Sequence, residues 1–303
     1  MRKKLLNVLV YLSIVFLFIY LYKLDYFAFQ DVELKIIPLI ISTVLLWAGY
    51  VLSGISWWNI LKQHDIYITV KKAIISQGLA IFAKYIPGKI WVILGRAGYI
   101  SENKFSLKTT SLLSLKEQLI YVWEGLLISV IPMATIYGLN KFTFLVFILL
   151  VFFTFLLFSQ IFHKWFLNIF KKVTKKELEI PYIKITGNIR IILYISFYWF
   201  SWLLAFHFFV IAFYPDPDLG VAFAFPLSVT IGLLAIIFPG GIGVREGIMA
   251  GYLVMTGIPL QIATVITVYA RLWFISGEIF IFLLALSLKL FNKKRCKTKT
   301  LVK

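Results

Sequence analysis

Acidic side chains are scarce: 13 Asp and Glu stand against 31 Lys and Arg. Cysteine is nearly absent. The single Cys296 can build neither a disulfide framework nor a Cys-based metal site. The three histidines, His64, His163 and His207, share no ligand spacing, so no metal and no cofactor is expected. Charge as a whole is thin, at 15% of residues, where a soluble domain carries about 25%. No Gly-x4-Gly-Lys-Ser/Thr run occurs, which removes P-loop nucleotide hydrolysis as an energy source. No polar stretch is long enough for a soluble catalytic domain.

What the chain has in abundance is apolar sequence, 61% of residues. Uncharged runs cover 5–22, 36–61, 142–162 and 191–214, each long enough to cross about 30 Å of hydrocarbon. The run at 5–22 has no small-x-small cleavage signal after it and reads as an uncleaved first span. The run 112–138 spans despite Lys116, Glu117 and Glu124, and 262–288 spans despite Arg271 and Glu278. Glu117 lies near the boundary and reads as a surface residue, whereas Glu124 and Glu278 lie deeper. Two further apolar stretches are interrupted: 73–100 at Pro87-Gly88-Lys89, and 219–256 at Pro239-Gly240-Gly241. The halves of the first, 73–86 and 88–100, are too short to cross, and both broken stretches read as re-entrant hairpins. The aromatic residues are expected mostly at lipid-facing and interfacial positions. A short surface helix is expected around 165–173.

The cations orient this layout. Of the 31 Lys and Arg, 23 fall at the N-terminus, in the loops 62–72, 101–116 and 163–190, or in the tail from 289. Lys23, Lys35 and Lys141 alone fall opposite. The split places both termini in the cytoplasm. It also explains the net charge of +18 without nucleic acid, because the basic face meets anionic headgroups.

Orientation then exposes a repeat. Residues 1–139 and 140–290 run through the same order of elements with opposite sense, followed by a basic tail at 291–303. Ile86-Pro87-Gly88-Lys89-Ile90 matches Phe238-Pro239-Gly240-Gly241-Ile242, and Trp47 has a mate in Trp202. Arg96 with Gly98 matches Arg245 with Gly247. The expected fold is therefore all-α: a single polytopic membrane domain of about six spans plus two Pro-Gly-broken hairpins in inverted repeat. Broken segments at corresponding positions of two halves point to a substrate site between them. A half-helix beginning at mid-membrane offers orphan N–H groups to an anion. Arg adds a fork that fits two phosphate oxygens. Candidate binding residues are Arg245, Arg96, Lys89, Lys84 and Arg271. Glu246, Glu124 and Glu278 are expected to hold the arginines, and Pro87, Gly88, Pro239, Gly240, Gly241 and Gly243 to shape the breaks. The blander reading of Arg245-Glu246 is an ion pair that only fixes the broken helix. Lys84 and Lys89 could instead reach headgroups from a shallow hairpin.

These residues carry a resemblance. Lys84-Tyr-Ile-Pro-Gly-Lys-Ile, Leu94-Gly-Arg96-Ala, Pro239-Gly-Gly-Ile-Gly-Val-Arg-Glu-Gly247 and Tyr269-Ala-Arg-Leu-Trp273 resemble the lysylphosphatidylglycerol synthase transmembrane-region family of flippase-like membrane proteins. The resemblance covers nearly the whole chain. It implies translocation of a lipid or lipid-linked glycan intermediate across a microbial plasma membrane. The partner would be an anionic, phosphate-bearing or polyprenyl-linked lipid. The soluble synthase domain of fused members has no counterpart in 1–303, so aminoacyl transfer is not implied. Three other readings stand beside it: a membrane transferase acting on a lipid phosphate, a non-catalytic partner of a cytoplasmic glycosyltransferase, and a small-anion transporter.

Overall fold

A computed structural model describes residues 34–86, 90–101, 105–175, 181–235, 241 and 243–300. The expected first span at 5–22 lies outside them, as do Pro87, Gly88, Lys89, Pro239 and Gly240. Among the described residues there are ten α-helices and no strand: α1 Ile36–Lys62, α2 Val70–Ala80, α3 Ile90–Ser101, α4 Leu107–Tyr137, α5 Lys141–Phe158, α6 Gln160–Thr174, α7 Ile185–Phe213, α8 Ala224–Leu234, α9 Val244–Met255 and α10 Leu260–Thr300. Two 3-10 turns, Ile81–Tyr85 and Leu219–Phe223, follow α2 and precede α8. The helices α1, α4, α5, α7 and α10 are long and apolar enough to cross a membrane.

Local chemistry sets the boundaries. Thr69 caps α2 by accepting from Lys72 N at 3.2 Å, and Asn140 caps α5 by accepting from Thr143 N at 2.9 Å. Gly138, at φ 70°, ends α4 in a conformation that other residues resist. Ser106 accepts from the first turn of α4, which starts that helix five residues before the expected Leu112. Ser159 ends α5 and caps α6. The latter is the expected surface helix. Ile161, Trp165, Ile169 and Val173 recur at every fourth position, all exposed, and Lys164, Lys171 and Lys172 are exposed beside them. This pattern fits a helix lying in a membrane interface.

The packing centres on α1 against α7. These helices run antiparallel: Lys35 N donates to the Ala212 carbonyl at 2.9 Å, Ser42 Oγ to that of Ala205 at 2.7 Å, Ser201 Oγ to that of Leu45 at 2.8 Å, and Trp202 Nε1 to that of Leu46 at 3.1 Å. Two helix–break–helix units flank the pair. In both, an 11-residue helix precedes the break and a 12-residue helix follows it: α2 with α3, and α8 with α9. Their docking is exchanged, with α2 on α10 and α8 on α4.

Both docking contacts use glycine. A Cβ at Gly78 would lie 2.4 Å from the Ile281 carbonyl oxygen, and one at Gly125 would lie 2.0 Å from Thr230 Oγ1. Small residues at such crossings let helices associate where lipid offers no hydrophobic driving force. Gly78→Ala must push the α10 backbone away and is expected to cost about 1–3 kcal/mol. A thermal shift of the purified protein reads this directly. Gly98→Ala is the control, because its Cβ meets nothing within 4 Å.

Beside aromatic side chains that stay exposed on the helix surfaces, a set of them forms the centre of the bundle. Tyr121 stacks on Trp199 at 4.3 Å, and Trp202 meets Tyr50, Tyr198, Phe225 and Phe274 edge-on. Trp57, Trp199, Phe206 and Phe225 are wholly buried. Hydropathy cannot separate a lipid-facing ring from a ring packed between helices, because both environments are apolar.

Candidate functional site

A cavity of about 410 Å³ opens between the two helix–break–helix units. Tyr50, Gln77, Lys84, Arg96, Glu117, Tyr121, Tyr198, Trp202 and Arg245 line its polar and aromatic part. Ile90, Ile93, Leu119, Val122, Phe153, Leu233 and Leu234 form an apolar part. Ile90, in the apolar part, is 50% exposed. The volume falls in the ordinary range for a small-ligand site.

Four candidate cations fall among the described residues, in three different situations. Arg96 is already engaged. Its Nε donates to Ser114 Oγ at 2.5 Å, Nη1 to Glu117 Oε2 at 2.6 Å and Gln77 Oε1 at 3.0 Å, and Nη2 to the Ser114 carbonyl at 2.7 Å. The guanidinium also lies 4.4 Å from the Trp57 ring centre. Glu117 is thus only 4% exposed and serves as the carboxylate of this pair, contrary to its reading as a surface residue. Its signal was present in the sequence. Glu117, Tyr121 and Glu124 recur at helical spacing on one face of α4, too regularly for a helix end in water.

Lys84 pairs with Glu278, whose second oxygen accepts from Tyr85 Oη at 2.7 Å. Glu278 therefore holds a lysine and a tyrosine, where the sequence suggested an arginine. Arg271 Nη1 lies 3.7 Å from Glu246 Oε1. The other oxygen of Glu246 accepts from Gly243 N at 2.7 Å and so caps α9. Glu246 turns away from its neighbour Arg245 toward the cap and Arg271, and the sequence-adjacent pair is not formed. The capping carboxylate also takes up part of the N-terminal donor capacity that the sequence reading offered to a substrate.

Arg245 is the exception. It is 7% exposed, lines the cavity, and has no carboxylate within ion-pair distance among the described residues. Aromatic rings hold it: its guanidinium carbon lies 4.4 Å from the Phe274 ring centre and 5.7 Å from that of Phe225. The stem lies across Gly232, where a Cβ would come within 2.3 Å of Arg245 Cγ. Gly241, at φ 71°, packs on the Gly232 backbone, where a Cβ would lie 2.8 Å from the Gly232 carbonyl oxygen. Gly232 and Phe274 escaped the sequence reading because nothing local marks a glycine or phenylalanine as the rest for a distant side chain.

Among the described residues, Glu124 is bound to no arginine. Its Oε2 lies 2.9 Å from Ser196 Oγ. Outside the spans, His64 meets α4 at Lys116. Lys116 Nζ lies 3.1 Å from Nε2, and the Ile60 carbonyl lies 2.9 Å from Nδ1. Lysine can only donate, so Nε2 accepts and Nδ1 carries the ring proton. Burial, with Lys116 adding to it, holds His64 below its ordinary pKa.

Residues 4–284 match the family described as Lysylphosphatidylglycerol synthase TM region. The chain belongs to this family. No curated protein and no solved structure matches it in the same kind of comparison. Membership in the lysylphosphatidylglycerol synthase TM-region family agrees with the five long apolar helices and makes this a multi-pass membrane protein. It also ties the chain to a lipid-related function in the membrane.

Proposed function

We propose that this protein translocates a lipid whose anionic headgroup binds at Arg245. The observation that carries the reading is the charge balance of the cavity. Among the described residues, Lys84, Arg96 and Arg271 each face a carboxylate within 4 Å, and Arg245 does not. A cation held at membrane depth without a counterion is costly, and such residues mark substrate pathways. An anion entering the cavity supplies the missing partner. The apolar lining at Ile90, Phe153 and Leu234 suits the other end of the ligand, because acyl or prenyl tails can remain in lipid while the headgroup enters.

The antiparallel α1–α7 pair and the exchanged docking of the two helix–break–helix units support an inverted-repeat arrangement. Alternate rocking of such halves would present Arg245 to each membrane face in turn. Arg96, already paired with Glu117 and engaged by Gln77 and Ser114, would shape the cavity wall more than grip the headgroup. Lys84 would assist Arg245 from across the cavity.

The test is movement of labelled lipid between leaflets of reconstituted liposomes, comparing a phosphate-bearing anionic lipid with a zwitterionic one. Wild type is expected to move the anionic lipid and Arg245→Ala to fall to the protein-free rate. Wild type moving neither lipid above that rate would refute the reading.

A further inference from the structure

Glu124 is the buried acid in this bundle for which the described residues provide no cation. It lies on α4 one turn beyond Tyr121 of the cavity wall and is 2% exposed. Its Oε2 lies 2.9 Å from Ser196 Oγ on α7, and that hydroxyl lies 3.1 Å from the Ile192 carbonyl one turn earlier. Oε1 has no hydrogen-bond partner among the described residues.

Ser196 Oγ can donate to Glu124 Oε2 or to the Ile192 carbonyl, but not to both. A serine hydroxyl has one proton, and a backbone carbonyl can only accept. When Ser196 donates to Ile192, it offers Glu124 only a lone pair. Glu124 must then be the donor, which requires the neutral acid. Both contacts are satisfied in that form, and the bare Oε1 is an uncharged carbonyl oxygen. The ionised form would place a full charge at this depth with at most one hydrogen bond.

The surroundings agree with the neutral acid. Of the elements packed on α4, α8 and the Leu219–Phe223 turn contain no ionisable side chain. On α3, Arg96 is engaged by Glu117, and Tyr99 is the other titratable group. On α5 the ionisable residue is Lys141 at the first position, 13 residues before Thr154, which bonds the neighbouring Trp123. On α1 they are Tyr50 in the cavity wall and Lys62 at the helix end, over Trp58. On α7 they are Arg190, which is exposed, with Tyr194, Tyr198 and His207.

We propose that Glu124 is a proton-binding site, loaded in this conformation, that couples lipid movement to protons. The coupling rests on the translocase reading; the proton site does not. Tyr121 and Glu124 contact α7 in successive turns, through Trp199 and Ser196. A shift of α4 along α7 that rearranges the cavity therefore also breaks the Glu124–Ser196 bond. The O–H bond of Glu124 then breaks, the electron pair stays on the carboxylate, and the proton passes to water reaching the cavity. Reprotonation resets the contact.

Infrared spectroscopy of the protein in lipid nanodiscs tests the site. Near neutral pH, wild type is expected to show a protonated-carboxyl C=O stretch that is absent from Glu124→Gln and shifted in Ser196→Ala. Ser196→Ala keeps the test decisive if the glutamine variant does not fold. Loss of carboxylate bands alone in Glu124→Gln, or an unshifted C=O stretch in Ser196→Ala, would overturn the assignment. Lipid movement across a pH series tests the coupling. One proton permits at most about a tenfold change in rate per pH unit. Wild type should show a pH-dependent rate and Glu124→Gln a flat one. The same pH profile in both proteins would overturn the coupling. Wild type moving no lipid would defeat the translocase reading and the coupling with it, while the infrared result would still decide the proton site.

Discussion

Arg245→Gln is expected to weaken binding of an anionic lipid headgroup at least about 30-fold while leaving the melting temperature unchanged or raised. The affinity loss follows from removing one member of a desolvated charge contact, which costs about 2 kcal/mol or more; every 1.4 kcal/mol is a factor of about ten. The stability effect has the opposite sign. Without ligand, the Arg245 charge is buried among Phe225, Phe274 and Gly232 and meets no carboxylate among the described residues. Glutamine removes that uncompensated charge, and the stem can still lie across Gly232. Arg245→Lys keeps the charge but loses the planar fork, so it should recover only part of the affinity. Titration of the purified variants with short-chain anionic lipid, alongside thermal melts, measures both effects.

Arg96→Ala should behave in the reverse way, although Arg96 lines the same cavity. It strips Glu117, Gln77 and Ser114 of their partner at once. Breaking a buried pair by removing one member costs about 3–5 kcal/mol, because the remaining charge stays buried and uncompensated. The variant should melt early or fail to accumulate. A second substitution, Glu117→Gln, should return part of the loss by removing the stranded carboxylate. If Arg96→Ala melts like wild type, the guanidinium does not hold α2, α3 and α4 together in the manner described. The two arginines thus separate by their partners: one is held by a carboxylate and three further acceptors, and the other has room for an anion.

Much of this architecture was legible in the sequence because membrane physics constrains it strongly. Uncharged runs of span length, Pro-Gly interruptions and the uneven distribution of lysine and arginine are one-dimensional signals. They identified α1, α4, α5, α7 and α10 as apolar helices and located the two breaks. The capping side chains Thr69, Asn140 and Ser159 then set the ends within a few residues. The pairing of charges was not legible in the same way. Four acids could be matched to the embedded cations in many ways, and tertiary packing makes the choice. Close docking at Gly78 brings α2 and the turn after it against α10, which carries Glu278 toward Lys84 and Tyr85. Glu246 serves its own helix end, and Ser196 supplies the contact to Glu124 from 72 residues away. The cradle of Arg245 likewise depends on Gly232 and Phe274, which look like ordinary residues of apolar helices.

The central claim is that the Arg245 cavity holds an anionic headgroup, and the lipid retained by the purified protein tests it most directly. Native mass spectrometry of wild type and Arg245→Gln, prepared from the same membranes, compares their bound lipids. Wild type should retain a phosphate-bearing anionic lipid that Arg245→Gln has lost. The same anionic lipid in equal amount on both proteins would contradict the account.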